Sequence, residues 1–206
     1  MLEMTASKTD LIKQLRERTG AGVMECQKAL QEANGSIDEA LKLLQAKGKT
    51  IATQKAGRVT GQGTIGAYVH GGRIGVMVEI NCETDFVARN DQFKAFVHEI
   101  CLQIASMNPR VVTREDVSPE EIGNELEQLH ENLEGVDEEA TQQMQQSHME
   151  RFYKERVLLD QPYVKDGSKS VQDLLHETIA ATGENVVIKR FVRFVLGEDP
   201  AFAQGR

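Results

Sequence analysis

No apolar run in the 206 residues approaches the roughly 20 that a membrane-spanning helix needs, and the N-terminus lacks the apolar core of a signal peptide. The expectation is a soluble, cytoplasmic protein, or the mature form of an organelle protein, with no membrane partner. Basic residues are outnumbered, 24 Lys and Arg against 32 Asp and Glu, for a formal net charge of -8. That balance argues against a nucleic-acid binder held mainly by phosphate contacts, and a protein is the expected partner. Only three cysteines occur, Cys26, Cys82 and Cys101. They are odd in number, far apart and each on an apolar face, so they read as reduced thiols.

Catalytic, metal and cofactor patterns are missing as well. His98-Glu99, His130-Glu131 and His176-Glu177 each begin like a zinc-protease helix. Cys101 or Leu102, Leu133 or Glu134, and Ile179 or Ala180 stand where the second His is required. Cys82 beside His70 suggests a thiol and a base, but Cys82 lies on the apolar face of its strand, where a thiol stays protonated. Gly48-Lys49-Thr50 copies the tail of a phosphate loop with Leu43 where the first Gly belongs. Gly61-Gln62-Gly63-Thr64-Ile65-Gly66 matches G-x-G-x-x-G, yet it precedes a strand instead of joining a strand to a helix. The chain is therefore expected to be no enzyme, with no metal and no cofactor.

Residues 1–52 carry the spacing of three short helices. Thr5 or Ser7 can cap the first, whose stripe is Leu11, Ile12 and Leu15, and Gly20 ends it. The second runs from about Val23 to Ala33 with Met24, Cys26, Ala29 and Leu30 toward a partner, and Gly35 stops it. Ser36 with Glu39 forms a capping box for the third, which carries Ile37, Ala40, Leu41, Leu43 and Leu44. Helices of this length joined by Gly turns make a small bundle of the UBA-like kind. Periodicity fades from Lys47, and residues 53–63, with Gly57, Gly61 and Gly63, read as a mobile linker.

Residues 64–206 change character. Thr64 to His70 alternates, Gly71-Gly72 offers a two-residue turn, and a second strand follows from Arg73. Ser118-Pro119-Glu120-Glu121 opens a helix whose seam is Ile122, Leu126, Leu129 and Leu133. A more polar helix from about Asp137 spaces Ala140, Met144, His148 and Phe152. Joined at Gly135, the two suggest a projecting antiparallel hairpin over about 119–158, or a pair packed on the sheet. Asp160 to Ser170 is rich in turn residues, and Val171, Leu174, Leu175, Ile179 and Ala180 mark a short helix. Asn185 to Gly197 is dense in branched and aromatic residues and joins the hairpin as a third strand. Lys189, Arg190, Phe191, Arg193 and Phe194 faintly resemble an RNA-stacking strand, but the Gly residues of that motif are absent. The fold expected is α+β: a three-helix bundle, then a three-stranded antiparallel sheet packed with helices.

One stretch organises the rest. From Arg73 the residues Ile74, Val76, Val78, Ile80 and Cys82 share one face of a strand, and from Gln92 the residues Phe93, Phe96, Val97, Ile100, Cys101 and Ile104 share one face of a helix. Between them lies Glu83-Thr84-Asp85-Phe86-Val87-Ala88-Arg89, an acidic and aromatic corner where the backbone must turn. Two readings of Phe86 stay open. It is either a ring presented to a partner from a connection on a rigid scaffold, or the first member of the buried Phe93 stripe, seven residues earlier.

Two segments carry a resemblance that covers nearly the whole chain. They are Leu15-Arg16-Glu17-Arg18-Thr19-Gly20-Ala21-Gly22-Val23-Met24-Glu25-Cys26-Gln27-Lys28-Ala29-Leu30 and the run from Glu79 to Arg89. His70-Gly71-Gly72-Arg73-Ile74-Gly75-Val76 and the final Phe191-Val192-Arg193-Phe194 strand extend it. The chain resembles the translation elongation factor Ts family in its short form. The resemblance implies a guanine-nucleotide exchange factor for elongation factor Tu, in which the Thr84, Asp85, Phe86 corner enters the partner's G domain and disturbs its magnesium and phosphate site. It implies further contacts with that domain from Arg16, Val23 and Met24, and with another domain from His70. Many relatives have a second Met where this chain has Val23. Longer members carry two copies of the hairpin-and-helix core, whereas the His70 to Cys82 pattern occurs once here, so a homodimer meeting along the open sheet edge is expected. The alternative is a protein-binding adaptor that uses the N-terminal helical module without exchange activity.

Overall fold

The computed structural model describes residues 7–131 and 138–198. Thr5, Leu133, Glu134, Gly135 and Asp137 lie outside the described residues.

Ser7 caps α1 (Lys8–Thr19) through a reciprocal box with Asp10, and Gly20 closes the helix in the left-handed region. Helices α2 (Val23–Glu32) and α3 (Ile37–Lys55) follow, the latter capped by Ser36. Leu15, Cys26, Ala29, Leu30 and Ala40 form a buried cluster, completed by Leu11, Ile12, Ala33, Ile37, Leu41 and Leu44. All of these belong to the bundle itself. Cys26, Ala29 and Leu30 thus face the neighbouring helices, while Met24 does not share their burial.

Helix α3 continues to Lys55, well past the point where the apolar period fades at Lys47. The face that holds it consists of the small residues Gly48 and Ala52, both buried. A Cβ at Gly48 would lie 3.5 Å from the His176 carbonyl oxygen, so glycine allows the helix beginning at Val171 to approach closely. Such a face leaves no trace in the period of large apolar side chains. The stretch read as a linker therefore shortens to residues 56–61.

Strands β1 (Gln62–His70) and β2 (Ile74–Cys82) form the expected hairpin. Val76, Val78, Ile80 and Cys82 are buried, as the alternation requires. Gly63, at φ 149, could not carry a side chain, because its Cβ would lie 2.2 Å from the Ile80 carbonyl oxygen. A one-turn helix α4 (Asp85–Arg89) precedes α5 (Asp91–Met107), whose Phe93, Phe96, Val97, Ile100, Cys101 and Ile104 are all buried.

Helix α6 (Pro119–Glu131) starts at a Ser118–Glu121 box and pairs with α7 (Glu138–Arg156). Arg156 meets Glu121 at 3.2 Å and His148 meets Glu125 at 2.6 Å, so the two helices run antiparallel. Val117, Phe152 and Val157 form a separate small core beside this pair. Arg114 braces it, reaching Glu150 and Asp160. A short hairpin of β3 (Pro162–Tyr163) and β4 (Asp166–Ser170) occupies part of the span read as turns. Helix α8 (Val171–Thr182) then leads to β5 (Val186–Val195), which joins the antiparallel sheet in the order β1-β2-β5. The fold is α+β, as expected.

Two compact units divide the chain. One holds residues 1–64, 80–97 and 172–187, and so joins the bundle to the corner and α8; the other holds 65–79, 98–171 and 188–206. In the second unit, Tyr68 stacks edge-on against His98 and Arg193 donates to the Ala105 carbonyl, which places α5 over one sheet face. Among the described residues no helix is long and apolar enough to cross a membrane.

Candidate functional site

Strand β2 delivers the chain to the corner through buried Cys82, whose thiol contacts the Thr84 carbonyl at 3.2 Å. Burial raises the Cys82 pKa, which keeps the thiol protonated and inert. Thr84 is extended, at φ -125 and ψ 156, and its hydroxyl accepts from the Val87 N–H at 3.3 Å. That is an N-cap bond, and it starts α4. The same hydroxyl donates to Glu184 at 2.6 Å. Within α4 the single buried residue, Val87, fixes one side of the turn. Successive residues of a helix point about 100° apart, so Phe86 is directed elsewhere.

Phe86 is 79% exposed, whereas Phe93 and Phe96 are 0% and 4% exposed. Asn90 causes the difference. Its backbone turns extended at ψ 137, ending α4, and its side-chain oxygen accepts from the Gln92 N–H at 2.8 Å, starting α5 afresh. The interruption removes Phe86 from the buried Phe93 stripe and leaves its ring exposed. Asp85 is also exposed and pairs with Arg89 at 3.0 Å along the turn.

The corner is tied down on several sides. Glu184 accepts from the N–H groups of Glu83 and Thr84 at 3.1 and 3.0 Å. Asn185, 3% exposed, donates its own N–H to the Glu83 carboxylate at 2.7 Å. That bond, aided by Arg58 at 3.5 Å, holds the Glu83 carboxyl below its ordinary pKa. Gln92 donates to the Gly20 carbonyl at 3.2 Å, linking the start of α5 to the turn that leads into α2.

Arg16, Val23 and Met24 belong to the same unit as the corner. Arg16 is exposed on the last turn of α1, and Val23 and Met24, 47% and 74% exposed, open α2. His70 lies in the other unit, exposed at the end of β1, with its Nδ1 2.9 Å from the Tyr68 hydroxyl. Glu184, Asn185, Asn90 and Gln92 escape a reading of the sequence. Their contacts span up to 129 residues and leave no periodic trace. Among the described residues no three His, Cys, Asp or Glu side chains come together as a metal site requires.

The arrangement leaves an apolar ring and a carboxylate exposed side by side on a corner whose backbone is hydrogen-bonded at both ends. A family model described as elongation factor TS matches residues 3–198. Elongation factor Ts of Thermoanaerobacter sp. (strain X514) is 53% identical over 190 residues, covering 91% of this chain and 93% of the relative. That of Coprothermobacter proteolyticus is 51% identical over 200 residues, covering 96% and 100%. That of Desulforamulus reducens is 47% identical over 201 residues, covering 96% and 91%. With the family's model matched along nearly its whole length and relatives about half identical over most of it, the chain belongs to the elongation factor Ts family of translation elongation factors.

Proposed function

We propose that this chain is a cytoplasmic guanine-nucleotide exchange factor that promotes GDP release from elongation factor Tu, binding its partner without bond chemistry of its own. The observation that carries the reading is Phe86, a large ring left 79% exposed on a corner whose backbone is held by Thr84, Glu184 and Asn90. A backbone so held loses little conformational entropy when its ring enters a partner, which favours binding through preorganisation. Phe86 acts as the wedge in the partner's G domain, Asp85 contributes its charge beside the ring, and Thr84 sets the direction of both. Arg16, Val23 and Met24 give the same domain a second contact, and His70 reaches a different one.

Exchange requires that this chain bind the nucleotide-free partner more tightly than the GDP-bound partner, and by reciprocity GDP and this chain then weaken one another. Accelerating release by about 10⁴-fold requires roughly 5.5 kcal/mol of such difference. Phe86 supplies only part of that, so the bundle contacts share the remainder. Release of labelled GDP from elongation factor Tu, with and without this chain, tests the reading directly. An unchanged rate at saturating concentration refutes it.

The protein also acts as a homodimer in this reading. Ile65, Val69, Met77, Val192 and Phe194, all in the second unit, are 48–67% exposed and stand on the sheet face away from α5. Ile65, Met77 and Val192 line one shallow groove. Exposed apolar side chains of this number, with the Arg190–Glu79 ion pair lining the same groove, favour a covering surface. A second copy supplies one of matching character, so the seam we favour is this face in place of the open edge.

A further inference from the structure

We propose that Glu184 is a positioning residue for nucleotide exchange: its carboxylate fixes the Glu83-Thr84 backbone and thereby the direction in which α4 presents Asp85 and Phe86. The inference rests on the exchange reading above and deepens it.

A helix of five residues does not hold itself, because so short a helix has too few internal bonds to offset the cost of nucleating it. What surrounds α4 must therefore set its direction. Val87 is its one buried side chain, and a single anchor leaves rotation about that point free. Asn90 fixes the exit. At the entry one half-buried carboxylate gathers three donors, the Glu83 N–H at 3.1 Å, the Thr84 N–H at 3.0 Å and the Thr84 hydroxyl at 2.6 Å. Both N–H bonds fall on the same oxygen, Oε2, and the hydroxyl bond on Oε1. Such a fork fixes two successive peptide planes as well as the side chain that caps α4.

The tie runs in both directions. Glu83 sends its carboxylate back to the Asn185 N–H at 2.7 Å, so two adjacent residues on each side exchange side-chain and backbone partners. Asn185 extends the brace with its amide, which donates to the Ala56 and Arg58 carbonyls at 3.4 and 2.9 Å. The segment after α3 is thereby joined to the same junction, and Lys55 reaches the neighbouring Gly183 carbonyl. Bonds to a charged acceptor are stronger than neutral ones, and the Thr84 hydroxyl bond is short in keeping with that.

Loss of the carboxylate need not dismantle the fold. Thr84 can still cap the Val87 N–H, Val87 remains buried, and water can satisfy the released N–H groups of a half-buried corner. What is lost is the single direction of Phe86. The effect therefore belongs on the rate at saturation, where the wedge must find its place in an already bound partner, more than on the concentration that half-saturates.

The experiment is GDP release from elongation factor Tu, measured at saturating concentration and across a titration, for wild type, Glu184→Ala, Glu184→Gln, Phe86→Ala, Met24→Ala and the two doubles with Glu184→Ala. Glu184→Ala is expected to lower the saturated rate at least fivefold with less than a twofold change in half-saturating concentration. Glu184→Gln is expected to restore most of it, since its oxygen can accept both N–H groups and its amide can donate to Thr84. On the Phe86→Ala background Glu184→Ala adds less than twofold, whereas with Met24→Ala the two effects multiply. If Glu184→Ala does not fold, Glu184→Asp, one methylene too short for the fork, replaces it in every comparison. A wild type that fails to release GDP overturns the exchange reading. A wild type that releases GDP while Glu184→Ala matches it, or while the Phe86 and Glu184 effects multiply, overturns this proposal and leaves that reading standing.

Discussion

Phe86→Ala tests the proposed wedge apart from architecture, because the ring stands exposed among the described residues. At 79% exposure its truncation leaves no cavity, and stability is expected to change by less than about 0.5 kcal/mol, as for surface substitutions. Phe96, 4% exposed in the α5 stripe, serves as the control. Its replacement by Ala costs about 3–5 kcal/mol through lost transfer and cavity terms. At about 2–4 °C per kcal/mol for a chain of this size, the control melts roughly 6–20 °C early and Phe86→Ala within about 2 °C of wild type. The effect on exchange runs the other way. A Phe side chain buries about 150 Å² or more when enclosed. If roughly 120 Å² of that passes into the partner, about 25 cal/mol per Å² makes the contact worth about 3 kcal/mol. Were all of it differential, the rate of GDP release would fall about a hundredfold; at least tenfold is expected. Thermal melting by circular dichroism and stopped-flow release of a fluorescent GDP give both numbers. A Phe86→Ala protein that melts with Phe96→Ala, or that exchanges at the wild-type rate, refutes the wedge.

Burial holds His176 below its ordinary pKa of 6.5, so the unfolded chain takes up a proton at a higher pH than the folded one. Stability should therefore decline as pH falls below about 6.5, and urea midpoints from pH 7.5 to 5.5 should lose that slope in His176→Gln. A second loss should follow below pH 4.5, where the unfolded chain protonates Glu83 before the folded one does. Because its buried cluster is internal, the bundle cut as residues 1–56 should melt cooperatively as a helical domain; a non-cooperative, unfolded spectrum would place the domain boundary elsewhere. Sedimentation equilibrium at micromolar concentration should show the dimer and Phe194→Glu should dissociate it, whereas a 22.9 kDa wild-type species alone would sink the dimer.

Elements with one large apolar face were legible in the sequence. The alternation from Ile74 to Cys82 and the stripe from Phe93 to Ile104 follow directly from periods of two and 3.6 residues, and their burial matches. Phe86 was not decidable by the same means, since its distance from Phe93 suits a continuous helix, and the break between them rests on the extended backbone of Asn90 and one side-chain bond that starts α5. Helix α3 ran beyond its apparent end because Gly48 and Ala52 pack by being small, a contact that a hydrophobic period does not register. The β3–β4 hairpin was hidden by its shortness, with two residues in one strand. Glu184 and Asn185 were invisible for a different reason. They act on a corner about a hundred residues earlier, and no local pattern encodes so distant a partner.

Exchange by this chain requires differential binding, and a thermodynamic cycle measures it. The affinity of this chain for elongation factor Tu is determined by calorimetry with the partner nucleotide-free and with it loaded with GDP, and the affinity of the partner for GDP is determined with and without this chain. The prediction is that this chain binds the nucleotide-free partner more tightly, by the same factor by which it weakens GDP. Replacing Phe86 with Ala should reduce both factors together. Equal affinity for the two forms of the partner would contradict the account, however tightly the proteins bind.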